Sequence, residues 1–491
     1  GEAWSGAPAE PAGVARGPWW DAEPPRGRAW LFAYAASATG LALLPLLAMV
    51  AGAAFAVPAL RGTTSTAQAL WRALPWVPLA GIVAFVALAL LVLLVVRVMS
   101  IRLGPGLHPV RGRQAWQAWT TLRVLDEART WLYPLYASTL TPGWLRALGA
   151  DIGRGVEAST VLLIPGFTSV GAQAFLADDT FVGGYELGGG WMRLERTRVG
   201  KGAFVGNSGM AGPGHKVPRK GLVAVLSAAP RKHKAKVGAS YIGSPPRPLR
   251  REAAPIDTAR TTRPPTRLKV ARALVECCRL VALWLHIALV LVVAATLLLL
   301  WQASPWLALL LGGIILHVAG AVATGIATLA KWILVGRIRP SEHPLWSSFI
   351  WRNELADAFV EILAAAWFAR AAVGTVALNW WLRSLGAKVG HGVWCESYWL
   401  PEHDLIDLRD GATIGAGCVV QTHLFHDRVM SLDTVTVGLG GTLGPNSVVL
   451  PAARIGKHAT VGPVSLVMRG ESVPDRTRWI GNPVGPWVGE A

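Results

Sequence analysis

Charged residues and cysteines are both scarce in this sequence of 491 residues. Asp, Glu, Lys and Arg together make up 15% of the chain, whereas ordinary globular domains carry about 25%. The four cysteines are too few for a disulfide framework, and the adjacent Cys277 and Cys278 could not pair with each other without strain. These absences argue against a disulfide-stabilised secreted protein and favour a reducing, cytosol-facing environment.

The charge that is present is mostly positive, with 47 Lys and Arg against 29 Asp and Glu and a net charge of +18. Basic residues crowd the ends of the apolar segments, as at Arg97, Arg272, Arg279 and Lys331. No DNA-recognition helix or base-stacking motif accompanies them. The distribution therefore predicts contact with a lipid bilayer containing anionic lipids, and no nucleic-acid partner.

Three long stretches lack charged residues entirely, namely 29–60, 73–96 and 280–330. About 20 apolar residues suffice to cross a bilayer, so each of the first two stretches predicts one transmembrane helix. The third is long enough for two helices and is interrupted by WQASPW at 301–306. Because the basic clusters flank both predicted hairpins, the positive-inside rule predicts a multi-pass protein of the cytoplasmic (inner) membrane with both polar domains in the cytosol.

The chain contains an internal repeat of one large unit. LHPVRGRQAWQAW and TPGWLRALGADIGRGV in the first half correspond to EHPLWSSFIWRN and NWWLRSLGAKVGHGV in the second. Each copy reads as a transmembrane hairpin, Trp-rich amphipathic helices at the membrane interface, and a polar domain. Packing of those helices on their own domain is the alternative. The predicted boundaries are a linker at 1–28, transmembrane hairpins at 29–99 and 271–336, interfacial helices at 100–147 and 337–384, a basic linker at 250–270, and polar domains at 148–249 and 385–491.

Both polar domains contain hexapeptide repeats. From Val437 the sequence reads VGLGGT, LGPNSV, VLPAAR, IGKHAT and VGPVSL, and the first domain contains VGAQAF, LADDTF, VGKGAF and VGNSGM. A triangular coil explains this period, because each flat face needs one inward aliphatic residue and each corner a residue that accepts a tight turn. The pattern resembles hexapeptide-repeat acyltransferases. The predicted fold is a mixed membrane protein in which two transmembrane helical hairpins alternate with two left-handed parallel β-helix domains.

The second ladder of hexads is interrupted by VQTHLFHDRVMSLDT before it resumes at Val437. The resemblance implies that such a loop carries a histidine acting as general base. Imidazole has a suitable pKa for that role, and the catalytic candidates are therefore His423, His426 and Asp427, the last to orient an imidazole or to hold a cationic substrate. Gln421 and Thr422 are substrate-binding candidates on the same loop. The alternative is that a histidine here only packs or caps the loop.

An acidic segment, PEHDLIDLRDG, precedes this loop. Its carboxylates could form an acidic mouth for a cationic acceptor, or they could be ordinary corner residues of the coil. The substrate-binding candidates in it are Glu402, Asp404, Asp407 and Asp410.

A metal site is not predicted. The histidines His403, His423 and His426 could contribute ligands together with Cys418 on paper. However, Cys418 occupies the small inward position of its hexad and is expected in the core.

The corresponding interruption in the first domain, VGGYELGGGWMRLERTR, contains no histidine. Tyr185, Glu186 and Asn207 are possible binding residues there, while His215 falls in a predicted turn. The first domain is accordingly predicted to bind or to scaffold rather than to catalyse.

The alternation of paired spans with tandem hexapeptide-like domains, together with QTHLFHDRVM and SLVMRGESVP, resembles one family closely. It is similar to the C-terminal half of membrane-bound nonribosomal peptide synthetases of the ε-poly-L-lysine synthetase type. The resemblance implies upstream adenylation and carrier domains and a 4′-phosphopantetheine arm supplied by that carrier. It also implies iterative amide formation on a cationic amino-acid monomer and polymer, and a pseudo-trimer with a third tandem domain or a homo-oligomer. His426 stands where an acidic residue is expected, which leaves the monomer open.

Two other functions remain open at this stage. One is a membrane-tethered O- or N-acyltransferase that uses a coenzyme A thioester, and the other is a structural or export scaffold. Neither an adenylate-forming motif nor a Walker-type phosphate loop is present in the sequence, so the monomer would have to be activated elsewhere.

Overall fold

The computed structural model describes residues 2–6, 9–14, 22–25, 27–231, 236–250 and 257–487. Parts of the predicted linkers at 1–28 and 250–270, and the last four residues of the predicted domain at 385–491, lie outside the described residues. Within the first predicted linker, strand Glu2–Ser5 pairs antiparallel with strand Glu10–Val14.

The helices lie before, between and after the two polar regions. In chain order they are α1 (Ala29–Leu60), α2 (Thr66–Ala73), α3 (Val77–Met99), α4 (Arg113–Trp131), α5 (Thr141–Leu148), α6 (Thr258–Thr261), α7 (Thr266–Cys277), α8 (Arg279–Ala303), α9 (Pro305–Leu334), α10 (Ser348–Phe359) and α11 (Val376–Ser384). A π-helix, Val360–Ala369, continues α10. Short 3₁₀ helices cover Leu74–Trp76, Tyr133–Leu135, Pro165–Phe167 and His403–Leu405.

Four helical segments of the described chain are long and apolar enough to cross a membrane, which is compatible with a membrane location. They are Ala29–Leu60, Thr66–Met99, Thr258–Ala303 and Pro305–Leu334, and their mean hydropathies are 2.2, 3.2, 2.7 and 2.1. The predicted break in the third apolar stretch is confirmed at Ser304, whose extended backbone separates α8 from α9.

Helix α4 packs within the protein on both of its faces. Leu122 and Leu125 are buried, and the indole N–H of Trp116 donates a hydrogen bond to Ser37 Oγ in α1 at 2.9 Å. The Trp119 ring meets Tyr34 of α1 edge-on, with ring centroids 5.0 Å apart. The apolar stripe that suggested a lipid-interface helix therefore contacts α1 and the first polar region.

The first polar region is a stack of short, mostly parallel strands, here called the first coil unit (residues 151–249). One sheet contains Asp151–Ile152, Thr168–Val170, Thr197–Val199 and Lys216–Val217, a second contains Glu157–Ala158, Phe175–Leu176, Phe204–Val205, Leu222–Val223, Ser240–Ile242 and Arg247–Leu249, and a third contains Leu162–Leu163, Phe181–Val182 and Met210–Ala211.

The second coil unit (residues 388–486) repeats this arrangement. Its sheets contain Lys388–Val389, Ile406–Leu408, Val435–Val437, Arg454–Ile455 and Ser472–Val473; Trp394–Cys395, Thr413–Ile414, Thr442–Leu443, Thr460–Val461, Arg478–Ile480 and Gly485–Pro486; and Val419–Val420, Val448–Val449 and Leu466–Val467.

The hexad period is visible in the strand register. Thr436, Arg454 and Ser472 pair side by side in parallel strands, so one turn of the coil takes three hexads. The predicted inward aliphatic residues are all 0% exposed, namely Val437, Leu443, Val449, Ile455 and Val461. The predicted coil with one aliphatic residue per face is confirmed for this stretch.

Each interruption of the hexads forms an antiparallel hairpin. In the second unit His423–His426 pairs with Val429–Leu432, and Ser341–Pro344 adds a third strand. In the first unit Glu186–Gly188 pairs with Trp191–Leu194, and Gly106–Pro109 adds the third. The repeated His-Pro motif therefore has the same role in both copies, since it supplies the edge strand of the hairpin.

The two coil units contact each other directly. Phe425, on the hairpin of the second unit, lies against Phe175 of the first with ring centroids 5.3 Å apart, and Phe175 stacks on Phe204. Apolar residues of both coils also meet in one buried cluster that includes Val225 and Val448. The hairpin that carries His423 consequently lies at the junction of the units.

Three of the basic residues at the span ends are buried in ion pairs. Arg272 Nε lies 2.8 Å from Glu276 Oε1, Arg279 Nη2 lies 2.8 Å from Glu354 Oε2, and Lys331 Nζ lies 2.7 Å from Asp404 Oδ2. Each of the three cations is at most 3% exposed. Carboxylates within the protein therefore neutralise these three cations.

Candidate functional site

His423 is the first residue of the second unit's hairpin and contacts a buried carboxylate. Its Nδ1 lies 2.8 Å from Oε2 of Glu402, whose side chain is fully buried, while the His423 side chain is 14% exposed. Glu402 has a left-handed backbone conformation (φ 45°, ψ 58°) just before the 3₁₀ turn His403–Leu405. That turn brings the carboxylate back towards the base of the hairpin.

Two further donors fix the Glu402 carboxylate. Thr422 Oγ1 donates to Oε2 at 2.6 Å, and Asn353 Nδ2 in α10 donates to Oε1 at 2.9 Å. Hydrogen bonds to a carboxylate favour its ionised form. Because the carboxylate accepts from Nδ1–H of His423, the other ring nitrogen, Nε2, is available as the proton acceptor of a neutral imidazole.

Electrostatics hold this pair in its charged form. Burial alone would lower the pKa of His423, but the charge and hydrogen bond of Glu402, with smaller effects of Asp178 and Asp357, raise that pKa to about 9. Burial would raise the pKa of Glu402, and the charge of His423 with the three hydrogen bonds lowers it instead. At neutral pH the pair is therefore an imidazolium and a carboxylate.

A cavity of about 630 Å³ lies between the coil units and is strongly acidic. Two arginines, Arg129 and Arg370, line it, and Arg129 pairs with Asp179 at 2.7 Å. The tyrosines Tyr133 and Tyr398 also line it. Its six carboxylates are Asp126, Glu127, Asp178, Asp179, Glu361 and Glu396. Carboxylates outnumber cations threefold in a protein of net charge +18.

The environment of the cavity disfavours this accumulation of negative charge. Burial, partly offset by Arg370, raises the pKa of Glu361. Burial and then the nearby charge of Glu402 raise the pKa of Asp357 well above its ordinary value. A bound cation would stabilise the charged form of these carboxylates, so the cavity is chemically suited to an ammonium group.

Asp178 connects this cavity to His423. It lines the large cavity and also a smaller one, of about 50 Å³, whose wall includes Phe425 of the hairpin and Glu354 of α10. Its charge also contributes to the raised pKa of His423. Asp178 therefore links the acidic cavity to the hairpin through Phe425, whereas His423 itself lines neither cavity.

The remaining predicted residues of the loop lie at its two ends. Gln421 is 2% exposed, and its Oε1 has no hydrogen-bond partner among the residues that the structure describes. Asp427 and Arg428 form the two-residue hairpin turn with positive φ (47° and 66°), and His426 Nε2 lies 3.7 Å from Asp427 Oδ2. Glu402, rather than Asp427, orients His423.

The acidic segment does not form one mouth. Asp404 accepts from Lys331 and from the backbone N–H of Ile338, and Asp407 pairs with Arg409 at 2.7 Å. Asp410 accepts from the backbone N–H of His391 at 2.8 Å. Because Glu402 is committed to His423, the four carboxylates are each occupied by different partners, and the prediction of a shared acidic mouth is corrected on that ground.

The first unit differs from the second at the positions of the His–Glu pair. Tyr185 lies four residues before the turn Gly189–Gly190, as His423 lies four before Asp427–Arg428. Ile164 precedes the 3₁₀ helix Pro165–Phe167, as Glu402 precedes its own, and it is fully buried. Neither a base nor a carboxylate therefore stands at these two places.

The other candidates of the first unit have separate surroundings. Glu186 pairs with Arg193 and Arg231, at 3.0 and 2.6 Å, and His215 donates Nδ1–H to the carbonyl of Ala229. Asn207 lines the smaller cavity beside Phe425 and so belongs to the junction of the units.

A metal-binding cluster of three or more His, Cys, Asp or Glu side chains does not occur within the described ranges. Cys418 is 1% exposed and donates its thiol to the carbonyl of Gly444, and His403 is also buried. These two side chains belong to the core of the second unit.

Sequence reasoning missed three polar residues of α10 and the π-helix that follows. Asn353, Asp357 and Glu361 are spaced at i, i+4 and i+8, which places them on one face of a helix. The segment was assigned to the membrane interface because of its tryptophans. A polar stripe along an otherwise apolar helix was the signal that could have identified them.

Solved structures that resemble parts of the chain include hexapeptide-repeat transferases. A hexapeptide transferase family protein from Anaplasma phagocytophilum is 20% identical, with a TM-score of 0.17, over 21% of this chain and 56% of its own. A hexapeptide-repeat acetyltransferase from Vibrio cholerae, complexed with acetyl coenzyme A, is 17% identical, with a TM-score of 0.20, over 23% and 75%. The serine acetyltransferase of Neisseria gonorrhoeae is 20% identical, with a TM-score of 0.19, over 33% and 55%.

No family model matches the chain. A curated relative, the delta-poly-L-ornithine synthetase of Acinetobacter baumannii, is 33% identical over 395 residues, which cover 79% of this chain and 29% of the relative. The chain therefore spans less than a third of that relative's length. This similarity confirms the resemblance indicated by the sequence, since most of the chain is similar to part of a poly-amino-acid synthetase.

Proposed function

We propose that this chain forms amide bonds iteratively between a carrier-bound aminoacyl thioester and the amine of a cationic amino acid or of its growing polymer. The observation that carries the proposal is the His423–Glu402 pair on a hairpin at the junction of the units, in a protein whose inter-unit cavity is rich in carboxylates. The name of the curated relative supports a cationic product, since poly-L-ornithine carries one amine in each residue.

In the proposed mechanism His423 acts as general base. Its Nε2 removes a proton from the acceptor amine, whose nitrogen attacks the thioester carbonyl. The carbon–nitrogen bond forms, the carbon–sulfur bond breaks, and the proton passes from Nε2 to the leaving sulfur. Glu402 keeps Nδ1 protonated and stabilises the imidazolium that forms, in the manner of the acid in a Ser-His-Asp triad.

We assign the acidic cavity to the cationic acceptor. The attacking amine must reach His423, while further ammonium groups of a diamino acid or polymer need anionic partners. Asp178, Glu361 and Glu396 would provide them from both coil units. Charge-assisted hydrogen bonds are about twice as strong as neutral ones, so the cavity would favour cationic over neutral acceptors.

The thioester is proposed to arrive on a 4′-phosphopantetheine arm of a carrier domain, with coenzyme A as the alternative source of the same arm. A thioester supplies an activated carbonyl and a good leaving group. The buried Oε1 of Gln421 fits such an arm, because it lacks a partner among the described residues and lies two positions before His423. It would accept a hydrogen bond from an amide N–H of the arm.

The proposal also covers the placement of the coil units at the membrane and the domains that would act with them. Both coil units would be left-handed β-helices in the cytosol, and the four apolar segments would anchor them to the membrane. Adenylation and carrier domains would activate and deliver the monomer. A third hexapeptide unit could complete a pseudo-trimer.

The test replaces His423 in the full-length protein, purified in detergent. His423→Ala should abolish amide formation from the N-acetylcysteamine thioester of L-ornithine and free L-ornithine, measured by mass spectrometry. His391→Ala, which changes an exposed histidine of the same coil unit, should retain activity. Residual activity of His423→Ala within about tenfold of wild type would exclude general-base catalysis, which contributes about 10²–10⁴-fold.

The two other functions are tested with the same purified protein and in cells. Transfer from acetyl coenzyme A to a hydroxyl or sugar amine, without ornithine coupling, would favour a coenzyme A-dependent acyltransferase. Unchanged polymer synthesis with lost secretion in His423→Ala cells would favour an export scaffold.

A further inference from the structure

The turn of the hairpin that carries His423 is inserted into the first coil unit. Arg428, the second residue of the turn, is 5% exposed. Its Nη2 donates to the carbonyls of Gly155 at 2.7 Å and Gln173 at 3.0 Å, and its Nη1 to that of Thr261 at 3.3 Å. The first two acceptors belong to the first coil unit and the third to α6.

These contacts come from outside the second unit. A buried guanidinium needs its donors satisfied, because an isolated buried cation is strongly unfavourable. Burial lowers the pKa of Arg428, and the charge of Glu157 in the first unit partly offsets this effect. The geometry of the turn can therefore persist only while the first unit supplies these acceptors.

The hairpin is also held by its own half of the chain. Ser341–Pro344 pairs with one of its edges, and Met430 and Leu432, each 3% exposed, pack in a cluster with Ile350. Phe425 adds one ring contact to Phe175, also in the first unit. Separation of the turn from the first unit would thus remove the contacts that Arg428 and Phe425 make there, and with them the anchor at the turn end of the hairpin.

The hairpin of the first unit has no arginine at its turn. Gly189 and Gly190 occupy the turn positions that Asp427 and Arg428 occupy in the second unit. An anchoring side chain is present only in the copy whose hairpin carries the His–Glu pair.

We propose that Arg428 is a positioning residue, and that the site becomes competent only when this arginine seats the His423 hairpin on the first coil unit. The first unit thereby completes the site of the second and needs no base of its own. This inference rests on the proposed role of His423, although the seating itself can be measured without any activity.

The seating is tested by hydrogen–deuterium exchange on the full-length protein in detergent. Arg428→Met should raise the exchange of His423–His426 and Val429–Leu432 while Thr442–Leu443 and Thr460–Val461 keep wild-type protection. Arg454→Met, which removes an exposed arginine of the same unit, is the matched control and should leave all four strands unchanged. Faster exchange spread over the whole coil unit would indicate general destabilisation and overturn the proposal, as would unchanged exchange of the hairpin.

Kinetics provide the second measurement. Displacement of a catalytic group by about 1 Å can cost about 100-fold in rate, so Arg428→Met should lower kcat by about that factor with a small change in the KM for the thioester. Arg428→Lys keeps the positive charge but not the several N–H donors of the planar guanidinium. Its kcat should lie between those of wild type and Arg428→Met. It also serves as the test variant if Arg428→Met does not fold. A lowered kcat/KM that comes only from a higher KM would contradict a positioning role.

The two proposals fail in different ways. If His423→Ala retains amide formation, the general-base role of His423 is wrong, whatever the exchange data show for Arg428. If His423→Ala is inactive while Arg428→Met exchanges and reacts like wild type, only the seating proposal is wrong.

Discussion

The chemistry of the site depends on the protonation states of His423 and Glu402, because each residue shifts the pKa of the other. The pKa of His423 is raised to about 9 and that of Glu402 is lowered, so the charged pair predominates at neutral pH. For the histidine, the resulting contribution to folding stability is fully present below its unfolded pKa of about 6.5 and is lost as the pH rises through about 9. A catalytic base must be neutral, so amide formation should increase with pH up to about 9.

Glu402→Gln is expected to shift this pH dependence towards acid. Removal of the carboxylate removes the main charge that raises the pKa of His423, while burial, which lowers it, remains; Asp178 and Asp357 offset part of the change. In the pH profile, the ascending limb of kcat/KM should move to lower pH. The plateau value of kcat/KM should fall, because the side-chain amide of the introduced glutamine stabilises the imidazolium of His423 less well than a carboxylate does.

The measurement is a pH profile with the ornithyl thioester. Glu195→Gln, which changes a carboxylate on the hairpin of the first unit, is the control and should keep the wild-type profile. If the ascending limb of kcat/KM does not shift in Glu402→Gln, that limb reflects the pKa of the acceptor amine or of another group rather than the pKa of His423.

At the level of single elements, the parts with a strict period could be predicted from sequence. The hexads have one inward aliphatic residue each, as at Val437 and Leu443, and the register of the parallel strands follows directly. The interruption containing His423 was also visible, because it breaks that period. Its hairpin and its seat on the first unit were not visible, since they depend on contacts between distant segments.

The partner of His423 shows why sequence reasoning stopped where it did. The sequence alone groups Glu402 with Asp404 and Asp407 as one acidic segment that could face a substrate. Only the left-handed turn at Glu402 directs its carboxylate inward, while Asp404 is drawn to Lys331 at the end of α9. Neighbours in sequence therefore have unrelated roles, and no local pattern distinguishes them.

Helix α8 is joined to α10 by a buried ion pair that can be tested separately. Arg279, 1% exposed, pairs with Glu354 and donates to the carbonyls of Tyr136 and Ala137. Arg279→Met would leave Glu354 buried without this partner, at a cost of about 3–5 kcal/mol in the free energy of unfolding. The pKa of Glu354, already raised by burial to about 6, would rise further because a cation that lowers it is lost.

Thermal unfolding in detergent at pH 7 checks this expectation through a lower Tm. The double variant Arg279→Met/Glu354→Gln should recover part of the loss, because no uncompensated carboxylate remains. Equal Tm values for wild type and Arg279→Met would mean that the pair contributes nothing, and a double variant less stable than Arg279→Met would contradict charge burial as the cause.

For the molecule as a whole, the two copies of one unit have diverged at a few positions. The hairpins, edge strands and coils correspond, yet Tyr185 and Ile164 stand where the second unit has His423 and Glu402. The first unit instead contributes Asp178 and Asp179 to the shared cavity. Duplication thus provides an asymmetric pair in which one copy carries the candidate base and the other contributes part of its binding surface.

In the proposed function, the acidic cavity attracts a cationic substrate against the charge of the whole protein. A net charge of +18 repels a polycation at long range, so recognition must depend on local carboxylates. Glu396 lines the cavity and has no ion-pair partner among the residues described. Glu396→Gln should therefore raise the KM for ornithine or oligo-ornithine by about tenfold, the equivalent of one lost charge-assisted contact of about 1.5 kcal/mol.

A comparison substrate with only one amine separates this effect from a general defect. A simple alkylamine offers the attacking nitrogen but no second ammonium group, so its KM should be the same in Glu396→Gln and wild type. Because Glu396 comes from the second unit and Asp178 from the first, Asp178→Asn should also raise the KM for ornithine. If both variants changed the KM for the alkylamine as much as the KM for ornithine, the cavity would not bind the second ammonium group of the acceptor. The cationic substrate would then have to bind elsewhere.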